Sequence, residues 1–163
     1  AAIGIYEMRI PSFSDKHVKV AWDAQTRGGG WTIILRRSDG SENFQRSWDV
    51  YKRGFGNLDG EFFLGLDKIH ALTSETSMEL LVIVEDFEGQ QRYESYQHFG
   101  ITGEDEGYAL NTLSKGEGTA GDSLKNHFRM KFSTFDNIND LKTETRCAAV
   151  YKSGWWFHKC HER

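Results

Sequence analysis

Two periodicities organise the apolar positions of this chain. Val18-Lys-Val-Ala-Trp22 alternates with a period of two and predicts a β-strand. Gly28-Gly29-Gly30 is a sharp turn, and Trp31-Thr-Ile-Ile-Leu-Arg36 predicts the next strand, so the two runs form a hairpin with a long, glycine-rich connection. Phe44, Trp48 and Tyr51 recur at helical intervals and predict a helix over 44–51, ended by Gly54-Phe55-Gly56. Phe63, Leu66, Ile69 and His70 share one face of a second short helix over 62–72, where Thr73 and Ser74 break the pattern. Residues 79–86 and 92–99 are β-rich and joined by Phe87-Glu-Gly-Gln90, a second hairpin; 108–113 predicts a fifth strand.

From Ser114 the composition shifts toward Gly, Ser, Asp and Asn, and regular structure should thin out. Phe128, Met130, Phe132, Phe135, Trp155 and Trp156 supply enough apolar mass for an ordered loop region. Long irregular segments in compact domains are usually functional or disordered. The expectation is one domain over 1–163, with a sheet-and-helix part (1–113) and a loop-rich binding part (114–163), a size that suits a single core. Aromatic residues make up 13% of the sequence, so the core relies on Phe, Tyr and Trp. There is no internal repeat.

Charge narrows the function. A net charge of −4 argues against a nucleic-acid binder, which would show a basic face. The longest apolar run, Leu80-Leu-Val-Ile-Val84, falls far short of the roughly 18 residues of a membrane span and predicts a buried strand. No signal peptide is visible at Ala1, so a secreted protein would be represented here by a mature or excised fragment.

Enzyme motifs are thin. Gly121-Asp-Ser-Leu124 is the namesake motif of a serine esterase family, but no Asp-x-x-His follows Ser123. His127 is the nearest base, and nothing identifies an acid to orient it. A zinc site from Cys147, His158, Cys160 and His161 lacks the paired ligand spacing such sites use and is too crowded to converge on one tetrahedral metal. No P-loop, zincin helix or dinucleotide fingerprint occurs.

The end of the sequence is richer. Cys147 and Cys160, the only cysteines, lie thirteen positions apart and enclose Trp155-Trp156. Two cysteines this close can close a rigid loop, a restraint worth about 3 kcal/mol in the chain-entropy model; thiol pairs also occur in reduced compartments. Just upstream, Asp136-Asn-Ile-Asn-Asp140 is rich in short oxygen-bearing side chains.

Eight blocks, in order, carry a resemblance. They are Gly28-Gly-Gly-Trp31-Thr, Phe44-Gln-Arg-Ser-Trp48, Tyr51 with Gly54-Phe-Gly56, Glu61-Phe-Phe-Leu-Gly65, Ile69-His-Ala-Leu-Thr73, Ala120-Gly-Asp-Ser-Leu124, Phe132-Ser-Thr-Phe-Asp136 and the Cys147–Cys160 loop. The sequence resembles the fibrinogen C-terminal globular domain, shared by fibrinogen chains, ficolins, tachylectins, tenascins and angiopoietins. The resemblance implies an α+β fold: a twisted antiparallel sheet with short flanking helices and a loop-rich ligand-binding subdomain. It implies a Cys147–Cys160 disulfide, secretion, no enzymatic activity, and oligomers built only through regions outside this chain. Two departures stand out. Trp22 occupies a position where the family carries a cysteine, and the family continues beyond its second cysteine into further loops and a returning strand.

The resemblance also implies site residues. The family's calcium loop places its side-chain ligands at Ile138 and Asp140. Isoleucine offers no oxygen, so only Asp140 would bind Ca2+ there; an Asx-rich turn network is the alternative for this segment. In the ficolin and tachylectin branch an acetyl pocket lies beside the second cysteine. By position it would use Tyr151 as its aromatic wall, His161, and the backbone of the Lys159–Cys160 peptide, which would offer N–H groups to the ligand's carbonyl. The alternative for Tyr151 and His161 is a loop aromatic and a solvated histidine; for Trp155 and Trp156 it is loop core. The function implied is lectin-like binding of acetylated glycans in innate defence. The rival is a receptor-binding or adhesion module that turns the same surface to an extracellular protein. Neither inserts into a membrane or binds nucleic acid.

Overall fold

The computed structural model describes residues 3–122, 124–139 and 153–156. It begins with a strand that the hydrophobic pattern leaves unmarked, β1 (Ile3–Ile10), which turns at Pro11 and pairs antiparallel with β2 (Ser14–Asp23). β1 is an edge with most side chains exposed, so its sequence carries no clean alternation of burial. The glycine-rich connection then leads into β3 (Trp31–Ile33), paired antiparallel with β2 as expected. Its first half is an Asx turn. The Asp23 carboxylate accepts from the backbone N–H of Gln25 and Thr26 at 3.0 and 2.9 Å, and the Trp31 indole donates to the Thr26 carbonyl at 2.7 Å.

The strand expected over 31–36 is two strands in two sheets. β4 (Leu35–Arg36) pairs with β6 (Phe62–Phe63), which also pairs with β5 (Phe55–Gly56). The switch falls at Ile34, whose carbonyl accepts from Leu64 N–H rather than from β2. This pairing also corrects the second helix. Phe62 and Phe63 are strand, and α2 (Leu66–Glu75) starts after Gly65 and runs through Thr73 and Ser74. Those hydroxyls donate back to the Ile69 and Ala71 carbonyls at 2.9 and 3.1 Å, so they satisfy themselves on the helix instead of ending it.

The first helix is shorter and later than its periodicity suggested. α1 (Trp48–Arg53) begins where Ser47 caps it, its hydroxyl accepting from Val50 N–H, and Phe44 reaches the core from the extended segment before it. Gly54 ends the helix at φ 96°, and a Cβ there would lie 2.2 Å from the Leu64 carbonyl oxygen. Only glycine fits.

The third sheet contains β7 (Met78–Glu85), β8 (Gln91–Ile101), β9 (Leu110–Leu113) and β10 (Glu117–Gly118); β7 pairs along one edge of β8, and β9 and β10 pair with it as well, all antiparallel. β9 starts at Leu110 because Tyr108 sits at φ 49°, which no strand tolerates. Beyond β10 the described residues hold only single turns and isolated bridges.

The core that joins these sheets is aromatic. Tyr51 stands with its ring centroid 5.0–5.2 Å from those of Phe55, Phe63 and Phe132, in edge or tilted contacts that suit ring quadrupoles. Leu66 and Ile69 of α2, Phe99 and Ile101 of β8, and Leu110 close it.

One carboxylate organises the loop between β4 and α1. Glu61 is buried and accepts from the backbone N–H groups of Ser38, Asp39, Gly40 and Glu42 at 2.6–3.2 Å. The bonds from Glu42 and Ser38 above all hold its pKa down from 4.5 to about 2. The stability this gives is complete above pH 4.5 and drains away as pH falls toward 2. Thermal melts of Glu61→Gln should show a lower Tm than the wild type at neutral pH and a shallower fall of Tm in acid. Parallel acid limbs would show that the four bonds do not depend on the charge.

Candidate functional site

The segment Ser153–Trp156 lies between the two cysteine positions, and its backbone is gripped from several elements. Tyr51 reaches it from α1. Its hydroxyl donates to the Phe44 carbonyl at 2.5 Å and accepts from Gly154 N–H at 2.9 Å. A Cβ on Gly154 would lie 2.7 Å from the Phe132 ring and 2.9 Å from that of Tyr51, so the backbone passes where only glycine can go. Ser133 and Trp155 exchange backbone hydrogen bonds at 2.7 and 3.1 Å as an antiparallel bridge. The Trp156 carbonyl lies 2.8 Å from His127 Nδ1, which must therefore carry the proton, and the Trp156 indole donates to the Tyr108 carbonyl at 2.7 Å.

Tyr108 can serve as that acceptor because it is locked. It is fully buried at positive φ, its N–H donates to the Gly103 carbonyl, and its hydroxyl donates to Asp67. Burial, then the Asp67 carboxylate, push its phenol well above the ordinary range, so it stays a donor at any working pH. Left-handed backbone in a bulky residue persists only where its surroundings over-determine it.

Trp156 is thus core, 5.1 Å from the Phe132 ring; Trp155 is half-buried, edge-on to Trp156 and to the His127 imidazole. The loop-core alternative describes both better than a ligand wall does.

The oxygen-rich segment beside it is a hydrogen-bonded turn network as far as Asn139. Asp136 Oδ1 accepts from Trp48 N–H at 2.9 Å, at the start of α1, and from the Thr134 hydroxyl at 2.7 Å. Asn139 donates to the Phe132 carbonyl and to Asn137, and its N–H is taken by the Ser133 hydroxyl. Ile138 and Phe135 point outward, 41% and 42% exposed. The expected site residues Asp140, Cys147, Tyr151, Lys159, Cys160 and His161 lie outside the described residues, as does Ser123.

Sequence reasoning missed the supporting residues. Tyr51 was visible as a helix position and as part of a family block, and His127 as a base near Ser123, but neither as a support of this segment. Nothing local marks a hydroxyl whose acceptor role is filled 103 residues downstream.

Elsewhere, among the described residues, the surface carries open polar grooves of about 480 and 500 Å³. One lies along α2 and the turn after β8, lined by His70, Thr73, Thr102, Asp105 and Asn111. The other lies where Arg27 stacks 3.5 Å above the Tyr93 ring, beside Trp31 and Gln97.

Three antiparallel sheets around an aromatic core, with a loop region pinned at a tryptophan pair, define a fibrinogen-like globe. The protein belongs to the family described as the C-terminal globular domain of the fibrinogen beta and gamma chains, whose model matches residues 2–163. Fibrinogen C domain-containing protein 1 of Macaca fascicularis is 46% identical over 97% of this chain, and the human protein of that name 45%. The present sequence spans 37% and 35% of their respective lengths. Among solved structures, the fibrinogen-like globe domain of human ANGPTL6 superposes with a TM-score of 0.91 at 42% identity, covering 97% of this chain and 69% of that one. A lamprey fibrin D-dimer complexed with the peptide Gly-His-Arg-Pro-amide gives 0.90 at 36% identity, covering 99% and 55%.

Tyr51→Phe keeps the ring and deletes the joint. It leaves the buried Gly154 N–H unpaired and removes one of the two donors to the Phe44 carbonyl, the other being Arg46 N–H at 3.1 Å, and should cost about 1–3 kcal/mol in denaturant unfolding. A change within a few tenths of a kcal/mol would show that water or a rearranged turn replaces the hydroxyl.

Proposed function

We propose that this protein is an extracellular, non-catalytic recognition domain that binds a small group displayed on a larger molecule, with N-acetylated sugars as its leading ligand class. The observation that carries this reading is the fixation of Ser153–Trp156 by Tyr51, Tyr108, Ser133 and His127. A binding surface gains affinity when its backbone is ordered before the ligand arrives. Here the middle of the Cys147–Cys160 loop is ordered from four directions. Tyr151 would wall the acetyl methyl, and His161 with the Lys159–Cys160 backbone would meet its carbonyl. A disulfide between Cys147 and Cys160 would hold the two ends together. Should Ca2+ take part, Asp140 would be its side-chain ligand, since Asp136 is already engaged by α1.

A second reading has its own support. The lamprey relative was solved with a short peptide amide, so a peptide or protein terminus is the alternative occupant of the same surface.

Calorimetric titration of the folded protein with N-acetylglucosamine, glucosamine and Gly-His-Arg-Pro-amide, each in Ca2+ and in EDTA, separates the two. The expected result is heat with the acetylated sugar alone, weakened at least about tenfold by Tyr151→Ala or His161→Ala, which is 1.4 kcal/mol. Ser123→Ala should leave it unchanged. Heat with the peptide alone would transfer the site to the protein-partner reading. Silence with all three would remove the acetyl pocket from this protein.

A further inference from the structure

In the third sheet a carboxylate is left without a partner. Glu94 lies in the middle of β8 on the side that also buries Tyr96; it is 3% exposed, and its Oε2 makes no hydrogen bond. A second carboxylate comes to the same place. Asp122 Oδ1 accepts from the Tyr96 hydroxyl at 3.0 Å and its Oδ2 from Gly116 N–H at 3.2 Å, while the Tyr96 oxygen accepts from Leu124 N–H at 3.3 Å. The three side chains converge under Gly116. A Cβ there would lie 3.0 Å from Glu94 Oε1, 3.0 Å from Asp122 Cγ and 2.9 Å from the Tyr96 ring. Among the described residues no lysine, arginine or histidine forms an ion pair with either carboxylate.

An ionised carboxylate taken out of water without a counter-charge is among the costliest features a fold can carry. A second carboxylate at the same point adds repulsion. Two anionic oxygen ligands are what a hard divalent cation seeks, with backbone oxygens and water completing its shell. The arrangement around Asp122 is also that of a held ligand: one oxygen fixed by a phenol, the other by a backbone N–H, as liganding carboxylates usually are. The Tyr96 hydroxyl, 3.0 Å from Oδ1, is the donor that orients Asp122. Because residue 116 is glycine, the two carboxylates and the Tyr96 ring can crowd against its backbone, where a Cβ would press on all three.

We infer that Glu94 and Asp122 form a binding site for a divalent, oxygen-liganded cation of the calcium class, which ties β8 to the segment running from Gly116 to Leu124. This site is separate from the loop at Asp136–Asp140 and does not depend on the ligand proposed above.

The test uses the full-length protein, freed of metal, with Ca2+ alone as probe. Titration calorimetry and thermal melts are run on the wild type, Glu94→Gln, Asp122→Asn and Asp140→Asn. Ca2+ should raise the wild-type Tm, as a ligand of the native state must. Glu94→Gln and Asp122→Asn should each weaken Ca2+ binding at this site at least about tenfold, whereas Asp140→Asn should retain it. In EDTA, Glu94→Gln should melt above the wild type, because the orphan charge is gone. The inference is overturned if the wild type shows no response up to about 10 mM Ca2+, beyond the range of weak extracellular calcium modules. It is equally overturned if Glu94→Gln and Asp122→Asn bind as the wild type does, or if Asp140→Asn alone abolishes the response.

Discussion

The Tyr51 hydroxyl is the joint on which the arrangement of this domain depends. A phenol has one proton to give and lone pairs to receive with, and here both capacities serve backbone groups in the core: the Gly154 N–H, and the Phe44 carbonyl, which it shares with Arg46 N–H. On one side it holds the extended segment that brings Phe44 into the core. On the other it holds Gly154, the point where the loop region enters the core. The ring beneath the hydroxyl packs on Phe55, Phe63 and Phe132, so the position of the oxygen is set by apolar contacts and is not free to follow the loop. Packing therefore dictates where the polar bond forms, and the polar bond dictates where the loop runs.

The same logic operates at the start of α1. A six-residue helix has little stability of its own. Ser47 caps it, and Asp136 places a negative charge against its first N–H groups, where the helix dipole favours one. Lys52, in its last turn, meets Glu104, and the Trp48 indole donates to the same carboxylate. The helix is thus fastened by residues from the loop region and from the turn after β8. It is a product of the tertiary structure and not a scaffold that precedes it.

This explains how far the fold could be read in advance. Strands rich in β-formers, such as β7 and β8, and turns fixed by local chemistry, such as Gly28-Gly-Gly30, were legible because neighbouring residues decide them; the burial expected of Leu80–Val84 was not, since Ile83 and Val84 stand 38% and 50% exposed on β7, a strand at the edge of its sheet. The family's blocks added the overall α+β architecture. Illegible were the features that distant residues decide. Ile34 changes sheets because its carbonyl meets Leu64. Phe62 and Phe63 become strand because β4 and β5 flank them, although their spacing to Leu66 and Ile69 is helical. Thr73 and Ser74 are a local exception: they stay in α2 because carbonyls one turn back receive their protons, which residue type alone does not announce. At the candidate site, the aromatic identity of Trp156 was visible and its role as core was weighed. Its dependence on a left-handed Tyr108 was not, since no local signal marks a bulky residue that its environment forces to positive φ.

The change of sheet at Ile34 means that β3 and β4, adjacent in sequence, transmit force between the hairpin sheet and the small sheet beside α2 through a single residue. With Tyr51 joining that small sheet to the loop region, the three parts form one cooperative unit whose contacts are mostly far apart in sequence. Contacts of that range slow folding, and opening any of these three joined parts breaks bonds in another. For a domain that must keep a binding loop in shape, the resistance to partial opening comes from the long-range wiring of the backbone, not from the strength of any one contact.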